Sequence, residues 1–259
     1  MTERAAIRSS FSRAATRYAS AAGLQRVVCD RLLELLPDRS ARLVLDLGCG
    51  TGFASAGLQA RFPQATHCAV DFSLGMLRAH EQGDGVARVC ADAHRLPLAS
   101  ASADVVLSSL MLQWCDLPVA LAECRRVLHD GGHMCFSTVL HGTLAEIDEA
   151  FAGLDAYRHT VSFPAPEVLA AALTDNGFAV DLMRCEAHVE YFADARGLLQ
   201  SNRDIGASHV PDGARRALLG RAALRQVCNR LEARREARGV PLTYQLAWVV
   251  ARASSGDRS

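Results

Sequence analysis

The chain has 259 residues, 50% of them hydrophobic, and a mean hydropathy of +0.08. A chain of this length and composition can bury a full core, which argues against wholesale disorder and favours one large α/β domain, with or without a small appendage. Its 28 basic residues, all arginine, balance 28 acidic residues. Zero net charge argues against a nucleic acid or membrane partner recognised through bulk charge.

The nine cysteines are scattered, and no two lie closer than nine residues. This spacing excludes a Cys-x-x-Cys unit and zinc-ligand spacing, so we predict no metal site. Free thiols in a chain of this size are typical of a reducing compartment. The N-terminus has no apolar signal region, and no apolar run approaches bilayer-spanning length. We therefore expect a cytoplasmic protein, and a monomer.

The first 36 residues are predicted to be helical. Residues 4–20 have apolar side chains at helix-compatible spacing, and residues 22–36 carry a clear apolar stripe that ends before Pro37. We expect residues 1–36 to form a helical lid over the ligand-binding edge of the sheet that follows.

Strands and helices then alternate along the chain. Apolar strands are predicted at 43–47, 67–70, 86–90, 103–107, 133–139, 178–183 and 243–251. Helices are predicted at 52–61, 73–80, 117–128 and 166–177, with Ser73 as the N-cap of the second and the glycines of 129–132 ending the third. This alternation is typical of an α/β fold with a doubly wound, mostly parallel seven-stranded sheet.

The same pattern sets the domain organisation. We interpret residues 1–259 as a single domain whose core sheet is formed by residues 40–191 and 242–252. Residues 192–241 form a helical insertion before the last strand, which we expect to cover the substrate. Residues 253–259 are predicted to be a frayed tail.

Three glycines, Gly48, Gly50 and Gly52, follow the first strand, where parallel sheets bind ligands. The dinucleotide-binding fingerprint requires Gly or Ala close behind, but Phe53 is too large for that packing. Asp46 would oppose a pyrophosphate and suits a ligand that carries ammonium and sulfonium charges. The loop therefore favours a positively charged ligand without phosphates.

The second and third strands end in acidic residues. The carboxylate of Asp71 can accept hydrogen bonds from both hydroxyls of a ribose. Asp92 is placed to accept the amino group of an adenine, and the Ala93 backbone N–H to donate to its ring. Together with the glycine loop, these residues indicate an adenosine ligand. The alternative is that each acid merely caps the helix that follows it.

The segment Val44-Leu-Asp-Leu-Gly-Cys-Gly-Thr-Gly52 resembles the class I S-adenosylmethionine-dependent methyltransferase superfamily. The similarity continues through residues 71–76, 92–97 and 128–132 and covers about residues 40–140. It implies a Rossmann-like methyltransferase domain with S-adenosylmethionine as cofactor. The residues it implies at the cofactor are Asp46, Gly48, Cys49, Gly50, Asp71, Phe72, Asp92, Ala93 and Gln113.

A narrower resemblance extends over nearly the whole chain. In order along the chain, it rests on residues 11–18, 24–25, 113–115, 140–144, 205–209 and 241–244. These segments are similar to those of the biotin-pathway malonyl-[acyl-carrier protein] O-methyltransferases. The chain departs from that family at Gln200, where a basic residue is common, and near Val161, where Asn is common. Both positions belong to regions expected to cover the substrate, so the departures bear on substrate choice.

The family resemblance implies methyl transfer to the free carboxylate of a malonyl-carrier protein. A carboxylate is already ionised at pH 7, so the reaction needs groups that orient the carboxylate rather than a general base. Our candidates for the catalytic residues are Tyr18, Arg203 and His209, and His159 is weaker. Tyr18 could equally be a packing aromatic of the lid, and Arg203 an exposed surface group.

Residues 196–238 contain ten arginines and four acidic residues. Because carrier proteins are acidic, we predict that the malonyl-carrier protein docks on this stretch. The alternative is an ordinary solvated helix face.

Three rival functions remain open at this point. One is methylation of a small molecule, such as a quinone precursor, on the same core. Another is S-adenosylmethionine binding without catalysis, as a scaffold or regulator. The third, a nucleotide-dependent oxidoreductase, is disfavoured by Phe53 and Asp46.

Overall fold

A computed structural model of the chain describes residues 23–80, 85–154, 157, 159–204 and 220–254, with side chains described everywhere except at 202–204. The helix predicted within residues 4–20 therefore lies outside the described residues. So do the similar segments at 11–18 and 205–209 and the tail after residue 254.

The described residues form seven strands and eight α-helices. The strands are β1 (Leu43–Leu47), β2 (Thr66–Asp71), β3 (Val86–Cys90), β4 (Ala103–Ser109), β5 (Leu128–Val139), β6 (Phe178–Phe192) and β7 (Val240–Ala253). The helices are α1 (Gly23–Glu34), α2 (Ser55–Arg61), α3 (Leu74–Ala79), α4 (Leu117–Val127), α5 (Ala145–Phe151), α6 (Pro166–Asp175), α7 (Ala195–Asp204) and α8 (Arg221–Glu232). A single 3-10 turn, Leu112–Trp114, follows β4.

All seven strands belong to one sheet with the order β3-β2-β1-β4-β5-β7-β6. Strands β1 to β5 pair in parallel, and β7 runs antiparallel to both of its neighbours. This arrangement confirms the predicted doubly wound, mostly parallel sheet. The carboxyl ends of β1, β2, β3 and β4 therefore meet at one edge, where such sheets bind ligands.

Helices cover both faces of the sheet, because its central strands are apolar on both sides. Val44 and Trp248 face the layer that includes α1, and Leu45 and Phe136 face the opposite layer. The indole N–H of Trp248 donates to the carbonyl oxygen of Val28 at 3.1 Å. This bond ties α1 to the sheet, so α1 is an integral part of the domain core.

The predicted beginning of β5 was wrong. We expected residues 129–132 to form a loop and the strand to begin at His133, but β5 begins at Leu128. Leu128 pairs with Ala103, and His133 is the next residue of β5 to pair, with Val105, so the intervening residues bulge out of the ladder. Gly131 accommodates the bulge with φ +77°.

The lengths of the last two strands were also underestimated. The prediction ended β6 at Met183, but it continues to Phe192 and pairs with a β7 that begins at Val240. The added part of β6 lies at the edge of the sheet, and its side chains are exposed or half-buried. It therefore lacks the apolar run on which the prediction rested.

Where the central strands β1, β4 and β5 begin, at the end of the sheet opposite the ligand-binding edge, a buried carboxylate joins three segments. Asp104 is 5% exposed, and its Oδ2 accepts the backbone N–H groups of Arg42 at 2.8 Å and Leu43 at 2.9 Å. The Oδ1 lies 2.8 Å from Nε2 of His129. Burial would raise the pKa of Asp104, but these donors outweigh burial and hold it below its usual value.

We predict that Asp104→Ala lowers the free energy of unfolding by about 2 kcal/mol at pH 7, because it leaves buried backbone N–H groups without an acceptor. A lowered pKa in the folded state gives stability that is present above the unfolded-state pKa and lost as the pH falls through the folded-state pKa. The difference between variant and wild type should therefore shrink in acid.

Urea denaturation of both proteins between pH 7 and pH 3 measures this difference. The matched control is Asp30→Ala, on the exposed side of α1, which should shift stability by less than about 0.5 kcal/mol. Equal stability of Asp104→Ala and wild type at pH 7 would contradict the prediction.

Candidate functional site

The glycine loop is anchored to the end of β2. The N–H groups of Gly48 and Cys49 both donate to the carbonyl oxygen of Val70, at 2.8 and 3.0 Å. Gly48 and Gly50 take positive φ values of +76° and +54°, which glycine adopts without strain. A Cβ on Gly48 would lie 2.3 Å from Cγ of Met111, so the loop packs against the residues after β4 with no room for a side chain.

Asp71, at the end of β2, fastens the loop from the other side. Its Oδ2 accepts the N–H of Gly50 at 2.9 Å, and its Oδ1 accepts the N–H of Ser73 at 2.7 Å. Burial raises the pKa of Asp71, and the N–H groups of Ser73 and Gly50 oppose that rise. Asp71 is therefore not merely the cap of the next helix, because Ser73 is the N-cap of that helix.

Asp92, after β3, is held by a histidine. Its Oδ1 accepts the backbone N–H of His94 at 2.9 Å and lies 2.7 Å from the His94 Nδ1. The Nε2 of His94 accepts the backbone N–H of Asp116 at 2.9 Å. Since Nε2 is an acceptor, the neutral ring carries its proton on Nδ1 and donates it to Asp92.

Asp46, which precedes the glycine loop in β1, is buried inside the protein. It is 5% exposed, and its Oδ2 has no hydrogen-bond partner among the described residues. Burial, followed by the nearby charge of Asp71, raises the pKa of Asp46 to about 7. A buried carboxylate with an orphaned oxygen is costly, and a cation placed near it would relieve that cost.

The loop and the strand ends line an open cleft. Its walls include two aspartates and no arginine among the described residues. Together with the orphaned oxygen of Asp46, this charge pattern fits a ligand that carries positive charge and disfavours a phosphate. The close packing at Gly48 and the paired carboxylates at two strand ends fit a flat, hydroxyl-bearing nucleoside.

Six of the nine predicted cofactor residues line this cleft: Gly48, Gly50, Asp71, Phe72, Asp92 and Ala93. Three lie outside its walls. Asp46 is buried behind the loop, and Cys49 packs in a small apolar cluster between β2 and α3. Gln113 uses its amide within the protein, donating to the Leu110 carbonyl oxygen at 2.8 Å and accepting from Thr138 at 3.5 Å.

The wall at the end of β4 was predicted only in part, since Gln113 was the one residue of this segment that we assigned to the cofactor. Ser109, Leu110, Met111, Trp114 and Cys115 line the cleft there. Leu110 has φ +49°, an uncommon value for a residue with a side chain, and such strain is concentrated at functional sites. The signals in the sequence were the position of this segment after the fourth strand and the family resemblance at residues 113–115.

The predicted substrate residues are placed less fully. Tyr18 and His209 lie outside the described residues, and Arg203 belongs to α7, with its side chain among those not described. His159 stacks on Phe151, with ring centroids 3.6 Å apart. It does not line the cleft.

Within the described ranges, no group of three or more His, Cys, Asp or Glu residues could hold a metal ion. No helix in those ranges is both long and apolar enough to cross a membrane.

Residues 45–136 match a family model described as "Methyltransferase domain". The chain is 40% identical over 96% of its length to a malonyl-[acyl-carrier protein] O-methyltransferase of Dechloromonas aromatica, covering 94% of that protein. It is also 40% identical to the protein of that name from Herminiimonas arsenicoxydans, over 95% of this chain and 94% of the relative. It is 37% identical, over 93% of its length, to a biotin biosynthesis bifunctional protein of Cellvibrio japonicus, of which it covers 48%.

Solved structures agree on the fold. The YcgJ protein of Bacillus subtilis matches with a TM-score of 0.61 and 17% identity, over 88% of this chain and 99% of that one. A geranyl diphosphate C-methyltransferase of Streptomyces coelicolor matches with a TM-score of 0.52 and 15% identity, over 87% of this chain and 78% of that one. At such identities the likeness concerns the fold alone.

We predict that Asp46→Asn raises the melting temperature of the ligand-free protein at pH 8. The pKa of Asp46 is raised from 3.8 to about 7 in the folded state, so burial disfavours the ionised form. The folding free energy lost to this ionisation grows as the pH rises from about 4 and reaches its full value above about 7, because the folded state binds the proton of Asp46 more tightly than the unfolded state does. The gain from Asn should therefore be largest at pH 8 and vanish near pH 4.

The same substitution should reduce the extra thermal stability conferred by S-adenosylmethionine, because a neutral amide does not attract the positive charge of the ligand as a carboxylate does. Melting curves at pH 5, 6, 7 and 8, with and without ligand, measure both effects. Asp30→Asn, on the exposed side of α1, is the control and should change neither. A stability gain that does not vary with pH would contradict the assignment.

Proposed function

The chain belongs to the malonyl-[acyl-carrier protein] O-methyltransferase family, and we propose that it methylates the free carboxylate of a malonyl-carrier protein, with S-adenosylmethionine as methyl donor. The observation that carries the proposal is an identity of 36–40% over nearly the full chain to several proteins of that name. Relatives named for biotin biosynthesis support a role for the methyl ester at the start of that pathway.

The cleft supports the same donor. When bound, S-adenosylmethionine supplies an electrophilic methyl group on a sulfonium. We assign the ribose hydroxyls to Asp71 and the adenine to Asp92 and Ala93, with the methionine end over the backbone of Gly48 and Gly50. The carboxylate of Asp46, behind the loop, attracts the positive charge of the donor. Cys49, Phe72 and Gln113 complete the proposed cofactor set.

The acceptor needs orientation rather than activation. A carboxylate with an ordinary pKa is ionised at neutral pH, so no side chain has to remove a proton from it. The chain has to align the carboxylate oxygen with the methyl group and exclude water, and positioning of this kind can supply about 7–11 kcal/mol. Leu110, Met111 and Trp114 form an apolar wall suited to excluding water. We keep Tyr18 and Arg203 as candidates for orienting the carboxylate, with His209.

Six of the ten arginines proposed to dock the carrier protein fall into two groups. Three of them serve the fold. Arg230 donates to the carbonyl oxygens of Ala150 and Ala152, at 3.0 and 2.7 Å, beyond the end of α5. Arg234 pairs with Glu149, and Arg235 with Glu232.

Arg196, Arg221 and Arg225 form the second group. They are exposed and line a groove between α7 and α8, and none of them makes an ion pair with another described residue. We name this groove the arginine groove and propose it as the dock. The positive charge of these three arginines complements an acidic partner. Charge of this kind mainly increases the rate of association.

Methylation of malonyl-carrier protein is tested directly with S-adenosylmethionine labelled in its methyl group. We expect label to transfer to malonyl-carrier protein and not to acetyl-carrier protein, which has no free carboxylate. A base-labile methyl ester identifies the product. Label on neither carrier protein would refute the proposal. Binding of the donor without transfer to any acceptor would favour a scaffold, and transfer to a quinone precursor instead would favour the small-molecule rival.

We predict that neutralising Arg196, Arg221 and Arg225 together, each to Gln, raises the KM for malonyl-carrier protein about ten-fold at low salt. The expected reason is slower association, so the effect should fade as ionic strength rises. The KM for malonyl-coenzyme A, which has no protein surface, should change little. Steady-state kinetics between 20 and about 300 mM salt measure both values.

The matched control is Arg42→Gln, an exposed arginine at the beginning of β1, at the opposite end of the sheet from the cleft. It should leave both KM values unchanged. An equal rise for both substrates in the triple variant would contradict docking and indicate damage to the cleft instead.

A further inference from the structure

A second cavity lies where β6 ends and β7 begins, on the face of the sheet that α1 covers. Its walls are the first residues of α1, residues 188–192 of β6, Ser201 of α7, Arg238 and Tyr244. No residue lines both this cavity and the cofactor cleft, so the two are separate features.

The most informative wall residue is Tyr244. It is 6% exposed and lies opposite His188 in the β6–β7 ladder. Burial, and then the charges of Glu190 and Glu146, raise the pKa of Tyr244, so its hydroxyl stays protonated and is a donor at any working pH. Among the described residues, no acceptor receives this hydrogen. Because Tyr244 lines the cavity, a ligand there that has an acceptor oxygen can receive this hydrogen in place of water.

The charges around the cavity select a neutral ligand. Glu190 lines it, half-buried, with a pKa raised by burial. Glu146 is buried behind Tyr244, where its carboxylate accepts the backbone N–H of Thr243 at 3.1 Å. The negative charge of these two carboxylates disfavours an anionic ligand in the cavity. A carbonyl oxygen suits the hydroxyl of Tyr244, and an N–H group suits Glu190, so the lining fits an uncharged chain that contains amides.

The rim of the cavity already has its cation engaged. The guanidinium of Arg238 lies 4.3 Å from the ring centroid of Tyr191, whose hydroxyl donates to Glu236 at 2.9 Å. This contact keeps the positive charge of Arg238 over an aromatic ring. The charge of Arg238 is thus held at the rim, and the interior offers hydrogen bonds from Tyr244 and to Glu190.

The position of the cavity matches a connecting role. Strand β7 is separated from β4 only by β5, and its first residues lie at the sheet edge where β4 and β5 end, so the cavity and the β4 wall of the cleft share one edge of the sheet. On its other side Ser201 belongs to α7, the helix that also carries Arg196 of the arginine groove. The cavity is thus flanked by the helix that carries part of the proposed dock and by the sheet edge that carries the cleft.

We propose that this cavity binds the neutral, amide-bearing arm on which a carrier protein presents its acyl group, with the Tyr244 hydroxyl donating to a carbonyl oxygen of that arm. The proposal rests on the proposed function. It also explains how an anionic acyl end and its carrier are kept apart. The two carboxylates repel the malonyl carboxylate from the cavity, so it continues to the cleft while the arm stays behind.

The test is Tyr244→Phe in the full chain, compared for two substrates at saturating S-adenosylmethionine. One substrate is malonyl-carrier protein, and the other is a malonyl methyl thioester, which has no arm. We expect kcat/KM for the carrier substrate to fall about ten-fold, chiefly through KM, since the lost bond is worth about 1.4 kcal/mol. For the armless thioester we expect no change.

Glu190→Gln is a second variant that keeps the shape of the cavity. It should also affect the carrier substrate alone. Tyr157→Phe, at an exposed tyrosine that lines neither cavity, is the matched control and should match wild type for both substrates. An equal loss for both substrates in Tyr244→Phe would place that residue in the structure or the cleft, and no loss for either would remove it from the substrate path. Both results would overturn the proposal.

Binding of pantetheine-bearing carrier protein, measured by fluorescence anisotropy with S-adenosylhomocysteine present, separates this proposal from the proposed function. If the wild-type chain makes no methyl ester, the proposed function fails. The arm site is then judged by whether Tyr244→Phe weakens this binding. Unchanged affinity would overturn it.

Discussion

The structure depends on the junction between the glycine loop and the end of β2. One carbonyl oxygen, that of Val70, accepts two loop N–H groups, and the carboxylate of Asp71 accepts a third. These bonds fix a loop whose glycines have backbone angles that few other residues adopt. Because the loop packs directly on Met111, the same junction sets the position of the segment after β4. Both sides of the cleft are therefore determined from one strand end.

The charge of the site follows from the same geometry. Folding brings Asp46 and Asp71 close enough for the charge of one to raise the pKa of the other, in a region that is largely dry. Such an arrangement costs folding free energy, and it persists where a ligand offsets that cost. A positively charged adenosyl donor does so, whereas a nucleotide phosphate would add to the repulsion. The attraction for a cationic donor and the folding cost of the empty site thus have a common origin in these two carboxylates.

The sequence was sufficient where short-range patterns decide the structure. The bounds predicted for β1 and β3 agree with the structure, because each strand is a short run of residues bounded by turn signals. It was insufficient where distant partners decide. The extension of β6 depends on pairing with β7, some 60 residues later in the chain, and its exposed side chains give no periodic signal. The hydrogen bond from the His94 ring to Asp92 likewise depends on a distant group, the backbone N–H of Asp116, which donates to the other ring nitrogen. No local sequence pattern indicates this contact.

The edge strand β6 limits how another molecule can attach to this domain. An exposed edge can recruit a foreign strand through its unpaired backbone groups. Here the ladder is interrupted between Val180 and Leu182, and the strand carries Asp181, Arg184 and Glu186 in ion pairs with neighbouring side chains. A bulge and closely spaced charges oppose the addition of an eighth strand. Recognition of a partner is thereby left to helices and side chains, whose contacts can form and dissolve with each turnover.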